Sequence, residues 1–224
     1  LLHFKKPAFR LKVLTSAAAN GCSEMATALV TGIITMMFNW TMLHYVGEDG
    51  VAAVTIIMYV LMFASSLYTG YSYGVAPMIS YCYGEQNHEK LKKLVAVSIR
   101  VIAEISLVTV AASFLLTKPL VSVFARPDNP VYDLAVTGNR ICTIALLFIG
   151  FNIFASGMFT ALSNGVVSAV LAFSRSFVFM LVTMVVLPLI LGVNGIWLAT
   201  PAAELMALAL SAVMFLKYRK RYGY

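Results

Sequence analysis

Five ionisable side chains stand inside stretches that are otherwise apolar: Glu24, Arg100, Glu104, Arg175 and Glu204. Burial penalises a bare carboxylate and favours its neutral or cation-bound form. An acid without a basic neighbour in such a stretch is therefore equipped to take up and release a proton or a metal cation. Glu24 fits this description, with no Lys or Arg within eleven residues on either side. Arg100 and Glu104 are four apart, a spacing that favours a local, neutralising ion pair on one helix. Arg175 lies near enough to a predicted helix end to reach the membrane interface. Glu204 follows Pro201, whose missing N–H frees carbonyls and admits water; a functional and a structural role are equally open to it.

A second candidate is Gly70-Tyr-Ser72-Tyr-Gly74. G-x-S-x-G is a hydrolase nucleophile turn when a strand precedes it, a helix follows, and His and an acid stand beside it. Here it sits in a long apolar run, and the histidines, His3, His44 and His88, fall near predicted membrane boundaries. The pattern excludes hydrolysis in favour of close helix packing, with Pro77 breaking the helical ladder nearby. Gly70, Gly74 and Pro77 are thus a predicted bend and a candidate hinge, and the chain is not expected to be an enzyme. Cys22, Cys82 and Cys142 show no metal-ligand spacing and read as small packing residues.

The elements that position these groups follow from composition. Of 224 residues 61% are hydrophobic and 11% charged, too few charges to cover a globule in water. Val51–Gly84 and Ile141–Ser174 are each 34 residues without Asp, Glu, Lys or Arg, longer than the ~20 residues that cross a bilayer. Continuous apolar runs exclude barrel alternation, so the expected class is an all-α integral membrane protein. Six helices are predicted, at about Val13–Val46, Val51–Cys82, Leu94–Leu116, Ile141–Leu162, Leu171–Leu191 and Ile196–Leu216. Residues 1–12 then form a cytoplasmic linker, 13–216 the membrane bundle and 217–224 a basic cytoplasmic tail.

The net charge of +7 is spread through short segments between apolar runs, which marks topology rather than a nucleic-acid partner. One predicted side carries thirteen Lys and Arg residues, and the other only Lys118, Arg126 and Arg140. By the positive-inside rule both termini are cytoplasmic. The outward turns Gly47-Glu-Asp-Gly50 and Gly192-Val-Asn-Gly195 echo one another, either as a structural repeat or as the same tight-turn chemistry chosen twice.

Polar residues align along three of the helices. Asn20, Glu24, Thr27, Thr31, Thr35 and Asn39 share a face of the first. Thr55, Tyr59, Ser66, Thr69, Tyr73 and Ser80 do so on the second. Asn152, Ser156, Thr160 and Ser163 do so on the fourth. Such stripes line either a shared wet cavity or dry helix–helix seams.

Gly74-Val-Ala-Pro77-Met-Ile-Ser80-Tyr-Cys-Tyr-Gly84 with EQNHEKLKK resembles the second helix and following loop in the C-terminal half of multidrug and toxin extrusion (MATE) transporters. FKKPAFRLKVLTSAAANGCSEMATAL and FSRSFVFMLVTMVVLPLILGVNGIWLATPAAE resemble the first helix and the last two helices of that half. The resemblance implies one six-helix lobe of a twelve-helix antiporter, its N-terminal partner lobe missing from this chain, in a bacterial inner membrane. It implies export of amphipathic or cationic small molecules in exchange for H+ or Na+ by alternating access, with no other cofactor. It places ion coupling on Glu24; a sodium site there would need neutral oxygens such as Asn152, and Glu204, as an acid within a span, is a further candidate. Thr27, Thr31, Thr35, Asn39, Tyr59, Ser66, Thr69, Tyr73, Ser156 and Thr160 are the candidate cavity lining. No Asp or Glu lies between Asp133 and Glu204, where some members carry a second acid on the fourth helix. The alternatives are a flippase of lipid-linked sugars, which calls for a more basic cavity, and a non-transporting scaffold.

Overall fold

A computed structural model describes residues 29–224. Helix α1 covers 29–45, α2 Glu48–Gly84, α3 His88–Leu115, α4 Thr117–Ser122 and α5 Pro130–Cys142. A 3-10 turn at Thr143–Ala145 leads into α6, Leu146–Ala161. Then come α7 (Gly165–Phe173), a π-helical segment (Ser174–Phe179), α8 (Met180–Leu191) and α9 (Val193–Tyr222). Five stretches are long and apolar enough to cross a membrane: α2, α3, α5 through α6, α7 through α8, and α9. The expected linker 1–12, Glu24, Thr27 and Cys22 lie outside the described residues.

Helix starts follow from local chemistry. The side chains of Asn87, Asn129 and Asn164 accept from the backbone N–H groups of Lys90, Val131 and Val167, capping α3, α5 and α7. Asn129 with Pro130 at the first helical position starts the fourth span well ahead of the expected Ile141. Arg140 consequently lies within a helix, its guanidinium over the Phe114 ring. The ends of α2 and α6 are a matched pair. Asn87 N–H reaches Cys82 O and Asn164 N–H reaches Phe159 O, a Schellman closure with Gln86 and Ser163 at positive φ.

The two glycine turns are also matched. Gly47 (φ 93°) and Gly192 (φ 58°) adopt a conformation that side chains disfavour. Gly50 N–H and Gly195 N–H then bond to Gly47 O and Gly192 O at 3.1 and 3.0 Å. A Cβ on Gly50 would stand 2.8 Å from Val46 Cβ, and one on Gly195 would strike the Leu187 carbonyl. The echo in the sequence is therefore shared turn geometry. Thr55 and Thr200, each five residues past the second glycine of its turn, nevertheless part company, the first exposed and the second buried.

Two apolar clusters fill the bundle. One gathers Phe38, Met42, Ile57, Leu146 and Trp197; the other gathers Ile79, Leu91, Phe154, Phe159 and Tyr222. Along α6, Ile149 belongs to the first and Phe154 to the second. Along α9, Ala199 and Leu210 divide the same way. The residues between them, Asn152 and Glu204, form a polar layer in the middle of the bundle.

Candidate functional site

Glu204 is 5% exposed, about 16 Å along α9 from Val193 at 1.5 Å per residue, and so deep in a span. Its Oε1 accepts from Arg175 Nε at 3.0 Å, and its Oε2 accepts from Asn152 Nδ2 at 2.8 Å. The same Nδ2 donates to Glu204 O at 2.9 Å. Ser211 Oγ donates to Asn152 Oδ1 at 3.1 Å. Two acceptors on one side of the amide and a donor on the other fix its orientation.

The backbone around this cluster departs from a regular helix on both sides. Pro201 has no N–H, so the carbonyl of Trp197 loses its helical donor; Cys142 Sγ supplies one at 3.3 Å. Opposite, Arg175 stands in the π-helical segment, none of whose six residues is buried. Such bulges recur at functional sites. Arg175 therefore does not extend to the interface as the sequence suggests, because a carboxylate on the neighbouring helix is nearer. Arg100 and Glu104, expected to pair, are both exposed and form no ion pair among the described residues.

Thr31, Thr35, Tyr59, Ser66 and Tyr73 are exposed and Asn39 and Thr69 half-buried. The opposite side of α2 buries Val54, Ile57, Leu61, Tyr68 and Val75. Several of the hydroxyls bond back to their own helix: Thr35 to Thr31 O, Ser66 to Met62 O and Thr69 to Ser65 O. Gly70, Gly74 and Pro77 lie on this uncovered side within unbroken helix. A Cβ on Gly70 or Gly74 would meet nothing within 4 Å among the described residues, so close packing does not explain these glycines. That role falls to Gly150, under the Tyr68 ring, and to Gly157, against Ser72 Oγ. Ser72 itself is buried in mid-helix, where no nucleophile turn exists.

The stripe on α6 divides. Residues four apart drift about 40° around a helix, so Asn152 turns into the polar layer while Thr160 is exposed. Ser156 and Thr160 share Ser168 of α7, with oxygen separations of 3.1 and 2.6 Å. Ser168, Ser211, Arg175 and Cys142 complete these clusters from other helices; only the mid-span guanidinium carried a signal in the sequence.

A family model described as MatE matches residues 24–186. An outward-facing multidrug resistance MATE family transporter of the MOP superfamily is 21% identical with a TM-score of 0.81, over 99% of this chain and 49% of that one. An inward-facing structure with the same description is 22% identical with a TM-score of 0.84, over 96% and 49%. A MOP superfamily transporter from Pyrococcus furiosus, described as having a binding pocket of reverse polarity, is 20% identical with a TM-score of 0.81, over 96% and 48%. At these identities the likeness establishes the fold, and the chain spans about half the length of these solved relatives. No curated protein matches the sequence.

Proposed function

The chain belongs to the MatE family of membrane transporters, and from that premise we propose that it forms one lobe of a cation-driven exporter of amphipathic organic cations. The observation that carries this reading is the polar face of α1 and α2 that no other described residue covers. Thr31, Thr35, Tyr59, Ser66 and Tyr73 are exposed where lipid would meet them, unless a second lobe closes a cavity over them. A chain about half as long as its solved relatives leaves room for that lobe. Tyr59, Tyr73 and Met62 supply adaptable, polarizable contacts suited to varied ligands.

The same fold supports alternating access. The lobe aligns comparably with an outward-facing and an inward-facing relative, with TM-scores of 0.81 and 0.84. This supports a lobe that rocks as a unit around a midplane site, with Gly70, Gly74 and Pro77 available for local bending. Glu24, Asn152 and Glu204 provide the ion coupling. One pH unit supplies ~1.4 kcal/mol per proton, and 100 mV adds ~2.3 kcal/mol per charge moved. Together these sustain a roughly few-hundred-fold gradient of drug.

The test is uptake of a fluorescent organic cation by inverted vesicles containing the full-length transporter. An imposed proton or sodium gradient should drive accumulation. Absence of accumulation under both gradients overturns the proposal.

A further inference from the structure

Glu204 is surrounded by hydrogen-bond donors. Asn152 presents Nδ2 to the carboxylate and keeps Oδ1 for Ser211, so its amide oxygen does not face the acid. Arg175 presents Nε. A sodium ion at Glu204 would need several oxygens in place of these N–H groups, since hard cations are held by oxygen. A proton needs only the carboxylate oxygen itself. Among the described residues, α2 and α3 bring Tyr83 and His88 to Tyr222 at the end of α9, and the elements packed more extensively along it are α5, the 3-10 turn, α6, α7, the π segment and α8. Their charged side chains are Asp133, Arg140 and Arg175, and their other titratable groups are Tyr132 and Cys142. Only Arg175 reaches Glu204.

The two donors differ in how firmly they are held. Asn152 is 2% exposed and bonded at both ends of its amide. Arg175 makes one bond to Glu204, through Nε, from a side chain 27% exposed on a segment with no buried residue. An arginine locked in a structural pair commonly presents its fork in two parallel bonds. This one holds Glu204 at a single point, from an irregular helical segment of the kind frequent at functional sites.

We propose that Glu204 is a proton-coupling residue of this lobe and Arg175 its tethered competitor, occupying the carboxylate until an incoming proton displaces the guanidinium. The inference rests on the exporter reading above and names its driving ion. In the paired state the cluster is neutral. When a proton binds Oε1, Glu204 becomes neutral and Arg175 is left with an uncompensated positive charge. A positive charge released at the midplane repels a cationic substrate in the same lobe, which is the exchange an antiporter requires. Loss of the proton to the other side restores the pair.

The test uses the full-length transporter in vesicles, with uptake of the fluorescent cation measured per folded molecule under proton and sodium gradients. Compared with wild type are R175Q, R175K, E204Q and the double variant R175Q/E204Q. Wild type should respond to protons and not to sodium. R175Q should reach half-maximal uptake at a proton concentration at least threefold lower, because the competitor is gone, and R175K should stay within twofold of wild type. E204Q and the double variant should lose proton-driven uptake. The double variant leaves no unpaired buried charge, so it keeps the test decisive should R175Q fail to fold. Proton-driven uptake retained by the double variant would make the pair structural and overturn the proposal, as would an unchanged half-maximal concentration in a folded R175Q. Sodium-driven wild type overturns this inference and leaves the exporter reading standing. Wild type responding to neither gradient removes both.

Discussion

His88 Nδ1, at the head of α3, lies 3.0 Å from the backbone carbonyl oxygen of Tyr222 at the end of α9. Since a carbonyl only accepts, Nδ1 carries the hydrogen. Asn164, the cap of α7, donates from Nδ2 to the Tyr222 hydroxyl at 3.0 Å, so three helix termini meet at one tyrosine. The Tyr222 ring also contacts Tyr83, Phe159 and Tyr224. The basic residues from Lys217 to Arg221 are thus the last turns of a packed helix. At the other end of the bundle Tyr45 donates to Pro188 O, joining the two matched glycine turns.

Replacing Tyr222 with Ala removes a ring that is 4% exposed and should cost about 3 kcal/mol. Tyr222→Phe forfeits only the bond from Asn164, about 1 kcal/mol. Thermal unfolding of the detergent-solubilised full-length protein should rank the two in that order. Equal effects would mean that the hydroxyl rather than the ring holds the termini. Burial, and secondarily the Tyr222 hydroxyl, raise the Tyr224 phenol above its usual value, keeping it a donor to Phe215 O. That contribution is fully present below the ordinary tyrosine value of about 10 and declines as pH rises beyond it.

The glycines make an opposed pair. A Cβ at Gly150 would stand 2.6 Å from Tyr68 Cδ1 and 2.9 Å from Ile102 Cγ2. Tyr68 cannot yield, because its hydroxyl donates to Leu146 O at 2.9 Å and pairs with Thr109. Gly150→Ala should therefore destabilise by about 1–3 kcal/mol. Gly70→Ala meets open space and should gain up to about 1 kcal/mol in helix propensity. The same unfolding measurement compares them. A stabilised Gly70→Ala protein that loses transport would mark Gly70 as a hinge.

The six apolar segments were legible because uncharged runs and clustered lysines are one-dimensional signals. Where the spans begin was less so: the Asn129 cap and Pro130 start the fourth span ahead of Arg140. Glu204 was legible as an ionisable group in a span. Its partner was not, since Arg175 reaches it only through the packing of two helices. Asn152 carried a misleading signal, because its four-residue spacing to Ser156 and Thr160 suggests one face while the drift of the helix turns it into the core. The Gly70 and Gly74 spacing matched a packing motif, yet Gly150 and Gly157, which match none, are where helices touch.

Cysteine accessibility should follow the face each residue occupies. In the full-length transporter, a charged, membrane-impermeant thiol reagent should modify Thr31→Cys and Tyr73→Cys from at least one side of the membrane. Their side chains stand on the uncovered polar face, Tyr73 at 74% exposure. Ser156→Cys should react more slowly, because Ser156 is half-buried beside Ser168. Val108→Cys should stay unmodified although Val108 is 67% exposed, since it lies one turn beyond Glu104 on α3 with Leu107, Ala111 and Leu115 around it, where lipid excludes a charged reagent. Native Cys142, 2% exposed and bonded to Trp197 O, should be inert throughout. Labelling of Val108→Cys together with silence at Thr31→Cys and Tyr73→Cys would reverse which face of the bundle meets water, and the cavity assigned to α1 and α2 would have to move to α3.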